Sequence, residues 1–418
     1  MKLTLHLPLS QSNKRVTWNW IAIQAVALLA LLAVLLVEFA YLRNARLLSD
    51  ESFNFRQITR FLNGDFSLEP AMNAIPGYHA LVALAMFLFH KTGVFSARLF
   101  SAGISFITIL VFYALAVKTA SPSPLTKTFQ FAFFPLLFPF FPLIYMDILG
   151  VLLVLVALFL VLARHYTLAG LVGILSILAR TNNIAWFAFL YVLVYTQNYG
   201  LDWRAFFRSW RETWVFWLGF GLFLAFLILN HGIALSDASV QPLFRFETGN
   251  LFFLLFLCFF LFLPRNLAGL PQIAKLLRAH RWVLIALVLT FGLYWLTFRV
   301  DHPFNLVELD YYWRNRLLLS ASQHAGEKAL FFLPVALASL SLAVIRLREK
   351  RFYWLYPFAV FSLVPFWLIE PRYSFVPLSL FLLFKEEGAP WVERLTLVLY
   401  VFCSAILVYL TRNEIMFI

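Results

Sequence analysis

Charge is scarce in this chain. Of its 418 residues, 13% are Asp, Glu, Lys or Arg, about half the share of a soluble globular domain. No polar segment is long enough to fold as a soluble domain of its own. Any active site must therefore be assembled from helix ends and loops. Cysteine is nearly missing: Cys258 and Cys403 both sit inside apolar runs. Neither a disulfide framework nor a thiolate metal site is expected. The eight His are scattered without metal-ligand spacing. There is no His-Glu-x-x-His and no glycine-rich phosphate loop, and no Gly-x-Ser-x-Gly elbow. A sugar nucleotide thus has no obvious site, and neither a metal nor a cofactor is expected. No Asn-x-Ser/Thr acceptor occurs, which leaves the compartment open. A cleavable signal is not expected either. Lys14 and Arg15 precede an apolar run from Trp18 to Tyr41, too long for a signal core.

Hydrophobic surface is what the chain has in abundance. Hydrophobic residues make up 62%, with 49 Phe, 13 Trp and 16 Tyr. Many apolar runs approach the roughly 20 residues that cross a bilayer. The expected fold is all-α, a polytopic transmembrane helical bundle. The net charge of +13 would suggest nucleic acid in a soluble protein. Here basic cytoplasmic loops and anionic headgroups explain it, so the expected partners are membrane lipids and not nucleic acid.

The loops sort by charge. Basic links at 118–127, 164–165, 199–213, 264–281 and 347–352 fall on the cytoplasmic side. The segment 43–76, Asp147, Arg180–Asn183, 231–249, 300–327 and 370–373 fall on the other. Hydropathy gives about 13 crossings, with Tyr78–Phe89 re-entrant or tucked against the bundle. No internal repeat is evident, and residues 1–418 read as one domain.

The first outer loop holds two adjacent carboxylates, Asp50 and Glu51, at the exit of the first helix. Phe53, Ile58, Phe61 and Leu62 follow at mostly helical spacing, with Arg56 and Arg60 four apart. That pattern predicts a short amphipathic helix at the membrane interface. Orientation collects further polar groups on the same face: Asp147, Arg180, Asn182, Asp237, His302, Glu308, Asp310, Arg314, Glu370 and Arg372. Ionisable groups near membrane depth are expensive and tend to mark function. Taken singly, each has an ordinary explanation. The acidic pair could be solvated and matched by its own arginines, Glu370 and Arg372 could form a helix-end ion pair, and Arg180 could cap a helix. Their convergence from separate loops points to a site.

These residues also resemble a known family. The chain is similar to the polytopic alpha-1,2-glucosyltransferases that add the terminal glucose to the lipid-linked precursor of asparagine-linked glycans. Those enzymes belong to the GT-C class of polyprenyl-phosphate-sugar-dependent membrane glycosyltransferases. The family's Met-Asp-Glu-x-Phe-His reads here as Ser49-Asp-Glu-Ser-Phe-Asn54. Gly64-Asp-Phe66 and Ile75-Pro-Gly-Tyr78 follow in order. Arg180-Thr-Asn-Asn-Ile-Ala-Trp186 resembles Arg-Gln-Thr-Asn-Ile-x-Trp, and Asn230-His-Gly-Ile-Ala-Leu-Ser-Asp237 resembles Asn-Gly-x-Ile-x-x-Gly-Asp. His302-Pro-Phe-Asn-Leu-Val-Glu-Leu-Asp-Tyr-Tyr312 keeps only part of the family's His-Pro-x-x-Leu-x-Asp-Asn-Arg-His-Tyr. Glu370-Pro-Arg-Tyr373 matches a late Glu-x-Arg-Tyr.

The resemblance implies an inverting hexose transfer, of glucose by the family's pattern, from a polyprenyl-phosphate sugar to a lipid-linked glycan. It places the reaction at the outer or lumenal face, in the endoplasmic reticulum or a bacterial inner membrane. Asp50 would act as base, with Glu51 orienting the acceptor or serving as alternative base. Arg372 and Arg314, with His302 third, would hold the phosphate. Asp147, Arg180, Asn182, Asp237, Glu308 and Glu370 would bind sugar or acceptor. Two other readings stand beside it. One is a GT-C enzyme moving another sugar to a cell-envelope polymer. The other is a lipid-linked oligosaccharide flippase or transporter, which would show repeat symmetry and midplane binding groups.

Overall fold

The computed structural model describes residues 18–70, 72–235, 245–307 and 312–417, with side chains from residue 22 onward. Every regular element among them is helical. The first half contains α1 (Trp18–Leu42), α2 (Glu51–Leu62), α3 (Gly77–Leu88), α4 (Val94–Lys118), α5 (Pro124–Ala132), α6 (Asp147–Leu162), α7 (Tyr166–Ala179), α8 (Ile184–Tyr199) and α9 (Phe206–Leu229). The second half contains α10 (Gly249–Leu261), α11 (Leu263–Ala268), α12 (Leu270–Ala279), α13 (Trp282–Thr297), α14 (Trp313–Gln323), α15 (Ala325–Val344), α16 (Leu355–Leu363), α17 (Phe375–Phe384) and α18 (Pro390–Arg412).

Five helices are long and apolar enough to cross a membrane: α1, α4, the stretch Trp203–Leu229 ending in α9, α15 and α18. A sixth exists if α12 and α13, bent by 105°, act as one broken span. Several spans make this an integral membrane protein. Other apolar segments form shorter helices. α3 has 12 residues and α6 has 16, or about 18 and 24 Å against a core of about 30 Å. Every residue of α17 is buried, as is most of α6. Helices sheathed by protein need not match the thickness of the lipid.

Proline breaks one long apolar stretch outright. The apolar stretch Phe129–Tyr145 is helical only to Ala132, the end of α5. Pro135, Pro139 and Pro142 lack the N–H that a continuing helix needs, and only a single turn at Phe138–Phe140 remains. Irregular backbone is tolerated at such depth when protein surrounds it. From Gln130 to Tyr145 every residue but Phe133 is buried. The second outer loop, 300–327, also differs from an open loop, because it contains α14 and the start of α15.

One hydrophobic core links the ends of the chain, from Leu31 on α1 to Phe417 beyond α18. Stacked rings join its parts, with Phe112 on Phe131 at 4.1 Å and Phe352 on Phe384 at 3.9 Å. α4 separates two polar regions, since its 25 residues extend about 37 Å. Arg98 lies near its start. Beyond its end, Ser121 and Ser123 donate to Glu387, which also meets Arg348 at 2.8 Å. Two of the basic links, 118–127 and 347–352, thus meet beyond one end of α4, and Arg98 lies at the other.

Candidate functional site

The loop between α1 and α2 delivers the acidic pair. Ser49 adopts a left-handed backbone conformation, φ 49°, unusual for a residue with a side chain. The turn points Asp50 and Glu51 in different directions. Tyr312 donates to Ser49 Oγ at 3.0 Å, and Ser49 donates to Asp50 Oδ1 at 3.3 Å. Tyr145 donates to the Leu48 carbonyl at 2.9 Å.

Asp50 faces a cavity of about 710 Å³ lined by Asp147, Arg180, Arg314, Glu370 and Arg372. Arg372 is its hub. Nη2 lies 2.8 Å from Asp50, Nε 3.2 Å from Glu370 and Nη1 3.8 Å from Asp147. Arg314 meets Glu370 at 2.6 Å, and Arg180 is paired with Asp147. Aromatic faces back the cations, with Tyr145 under Arg372 and Tyr373 under Arg180, both at 5.3 Å. Burial pushes the Glu370 carboxyl up, but Arg314 and Arg372 outweigh it and hold the group below its usual value. The carboxylates differ in access. Asp50 is 41% exposed, Glu370 6% and Asp147 1%. Asp50 is thus the acidic group of this set most open to solvent.

Glu51 does not line the cavity. Its carboxylate is fully buried with Arg98, which donates from Nε at 2.8 Å and Nη2 at 2.7 Å. The backbone N–H groups of Leu48 and Ile144 donate to the same oxygens at 3.2 and 3.1 Å. Arg98 also donates to the carbonyls of Leu42, Arg43, Ala45 and Arg46. The pair therefore ties the end of α1 to the start of α2 and fixes the backbone that carries Asp50. Contact with an acceptor, the role expected of Glu51, is blocked by these neighbours.

Asn182 lines the cavity and accepts from Arg180 Nε at 3.0 Å. His302 is buried away from the lining. Its Nδ1 accepts from the Phe304 N–H at 3.1 Å, and its ring meets Trp367 at 4.7 Å. Asp237, Glu308 and Asp310 lie outside the described residues. The interfacial helix forms as α2, but its buried face is largely polar: Glu51, Asn54, Gln57 and Ile58. Asn54 Oδ1 accepts from His79 Nε2 at 2.9 Å, and its Nδ2 donates to the Ile144 carbonyl at 2.7 Å. Phe53 is instead exposed, with Arg56 over its ring. Arg56 and Arg60 pair with Glu69, not with Asp50 or Glu51.

Sequence reasoning missed Arg98 and His79. Arg98 carried a usable signal, since a lone arginine in an apolar run must find a partner. His79 carried none. Among the described residues, no group of three or more His, Cys, Asp or Glu is gathered to hold a metal ion.

Comparison with known proteins places this site in context. The model of the DIE2/ALG10 family matches residues 45–205. The Dol-P-Glc:Glc(2)Man(9)GlcNAc(2)-PP-Dol alpha-1,2-glucosyltransferase of Candida albicans is 26% identical over 274 residues, covering 60% of each chain. The present chain thus spans about three fifths of that relative's length. No solved structure matches it. Over residues 45–205, the stretch that supplies Asp50, the Glu51–Arg98 pair, Asp147 and Arg180, this chain is similar to the DIE2/ALG10 family.

Proposed function

We propose that this protein is an inverting, GT-C-like membrane glycosyltransferase. It moves a hexose, glucose by its similarity to the Candida albicans enzyme, from a polyprenyl-phosphate donor to a lipid-linked glycan. The observation that carries this reading is one exposed carboxylate, Asp50, beside three arginines in one cavity. The phosphodiester donor releases polyprenyl phosphate, which departs as a stable anion and needs no acid. The acceptor hydroxyl does need a base.

The roles follow from access and charge. Asp50 takes the proton as the acceptor oxygen bonds to C1 of the sugar. The C1–O bond to phosphate breaks on the opposite face, and its electron pair stays with the phosphate. A β-linked donor thereby gives an α-linked product. Arg372 and Arg314 hold the phosphate as its charge grows. Asn182 and Asp147 bind sugar hydroxyls. Glu51 acts indirectly, through Arg98 and the loop it fixes. The cavity size lies within the usual range for small-molecule sites. The working membrane is the endoplasmic reticulum, with the cavity on the lumenal side. About 13 crossings are retained in this reading, with the short buried helices and the irregular stretch Phe129–Tyr145 counted among them; 1–418 acts as one membrane domain.

The test is transfer from a panel of radiolabelled polyprenyl-phosphate sugars to lipid-linked glycan by purified protein. Wild type should transfer glucose, and Asp50→Asn should unfold like wild type yet transfer none. Transfer of another sugar would change the substrate and keep the mechanism. A folded protein that uses no donor, or an active Asp50→Asn variant, would overturn the reading.

A further inference from the structure

The base of the proposed reaction is held by the cation proposed to bind the donor. Arg372 Nη2 lies 2.8 Å from Asp50 Oδ2. A guanidinium binds a phosphate through two adjacent N–H edges. The other two edges of Arg372 face Glu370 and Asp147, so a bidentate phosphate must displace a carboxylate. The three candidates are not anchored equally. Glu370 has a second cation, Arg314, at 2.6 Å. Asp147 has Arg180, and both carboxylates are almost wholly buried. Asp50 has only the long Ser49 bond at 3.3 Å besides Arg372 among its described contacts. It is also the one exposed to water, at 41%. Displacing Asp50 costs least, because water at the mouth rehydrates it. Displacing either of the others takes a cation from a buried carboxylate that its second partner holds in place and that water cannot rehydrate.

We propose that the donor phosphate and Asp50 compete for Arg372, so that donor binding releases the base. This rests on the reading of Asp50 as base and adds an order to it. The polyprenyl-phosphate sugar binds first and takes the Nη2 edge together with Nη1, whose contact with Asp147 is long at 3.8 Å. Asp50 then turns to the acceptor hydroxyl, which a carboxylate bound to Arg372 could abstract from only weakly. After transfer, Asp50 hands its proton to water and regains Arg372, which helps expel the polyprenyl phosphate. The charge count permits the exchange. Among the described lining residues, Asp50, Asp147 and Glu370 balance Arg180, Arg314 and Arg372, so an incoming anion needs a carboxylate to step aside.

The competition has an unusual signature. A residue that touches only the acceptor leaves donor affinity alone when it is removed. Here Asp50→Asn abolishes turnover and tightens phosphate binding. The probe is a short-chain polyprenyl phosphate, titrated onto the purified full-length chain in detergent. Its affinity for Asp50→Asn should rise roughly tenfold, a modest share of what one neighbouring charge exerts in a partly buried site. In an Arg372→Lys background, the same Asp50→Asn step should gain much less, because the contested fork is gone. Unchanged or weaker binding by a folded, inactive Asp50→Asn protein would overturn the competition and leave the base intact. Transfer by Asp50→Asn would remove the base itself, whatever its affinity. With wild type, polyprenyl phosphate should be competitive against donor; a pattern showing that acceptor binds first would also overturn the proposal.

Discussion

Glu51→Gln removes one charge from a pair that has no water around it. Both side chains are fully buried. The Glu51 oxygens receive four donors, two from Arg98 and one each from Leu48 and Ile144. A glutamine keeps the shape but offers one oxygen and one NH₂. At least one of the four donors then faces another donor, and Arg98 keeps its charge without a counterion. Breaking a buried pair in this way costs about 3–5 kcal/mol. Four backbone carbonyls still surround the guanidinium, which favours the lower end, about 3 kcal/mol. The assay is thermal unfolding of purified protein in detergent, with Glu51→Gln, Arg98→Met and the double variant compared. Glu51→Gln should unfold several degrees lower. The double variant should lose less than the sum of the singles, by at least about 2 kcal/mol of coupling. A Glu51→Gln protein that unfolds like wild type yet transfers nothing would refute the argument. It would return Glu51 to direct chemistry.

Two further outcomes can be read from the same preparations. Gly77→Ala should lower the unfolding temperature, because the new Cβ would lie 2.5 Å from the Leu178 carbonyl oxygen where α3 crosses α7. Forcing the helices apart costs about 1–3 kcal/mol, and unaltered unfolding would show that the approach is looser. The stability contributed by charged Glu370 should be fully present above its ordinary value of 4.5 and be lost as pH falls through its lowered folded value. Unfolding temperatures of wild type and Glu370→Gln should therefore differ at neutral pH and converge only in acid. A difference that vanishes well above pH 4.5 would contradict the assigned pairing.

Local pattern carried much of this protein. Apolar runs gave the helices, and the spacing of Phe53, Ile58 and Arg56 gave α2. Loop charge separated the acidic and amide groups from the basic links, two of which, 118–127 and 347–352, meet at Glu387. What local pattern could not give was the destination of each segment. Phe129–Tyr145 has the hydropathy of a span, but three prolines and a protein environment make it an irregular buried linker. α2 buries Glu51, Asn54 and Gln57 because Arg98, Ile144, His79 and Ser67 supply their partners. A helical wheel contains none of those.

Residue order alone set the class of environment and the kinds of groups available. Hydropathy, helix-forming runs and charge sidedness are properties of neighbouring residues, summed over short windows. The order of Asp50, Arg180 and Arg372 along the chain was legible as a resemblance. Folding settled which of the two acidic side chains faces the open cavity and which is sealed inside the bundle. Asp50 and Glu51 are adjacent and chemically alike. One meets Arg372 at an open cavity, and the other is sealed against Arg98. Those partners lie far along the chain, and which of them a carboxylate meets is set by packing over the whole bundle.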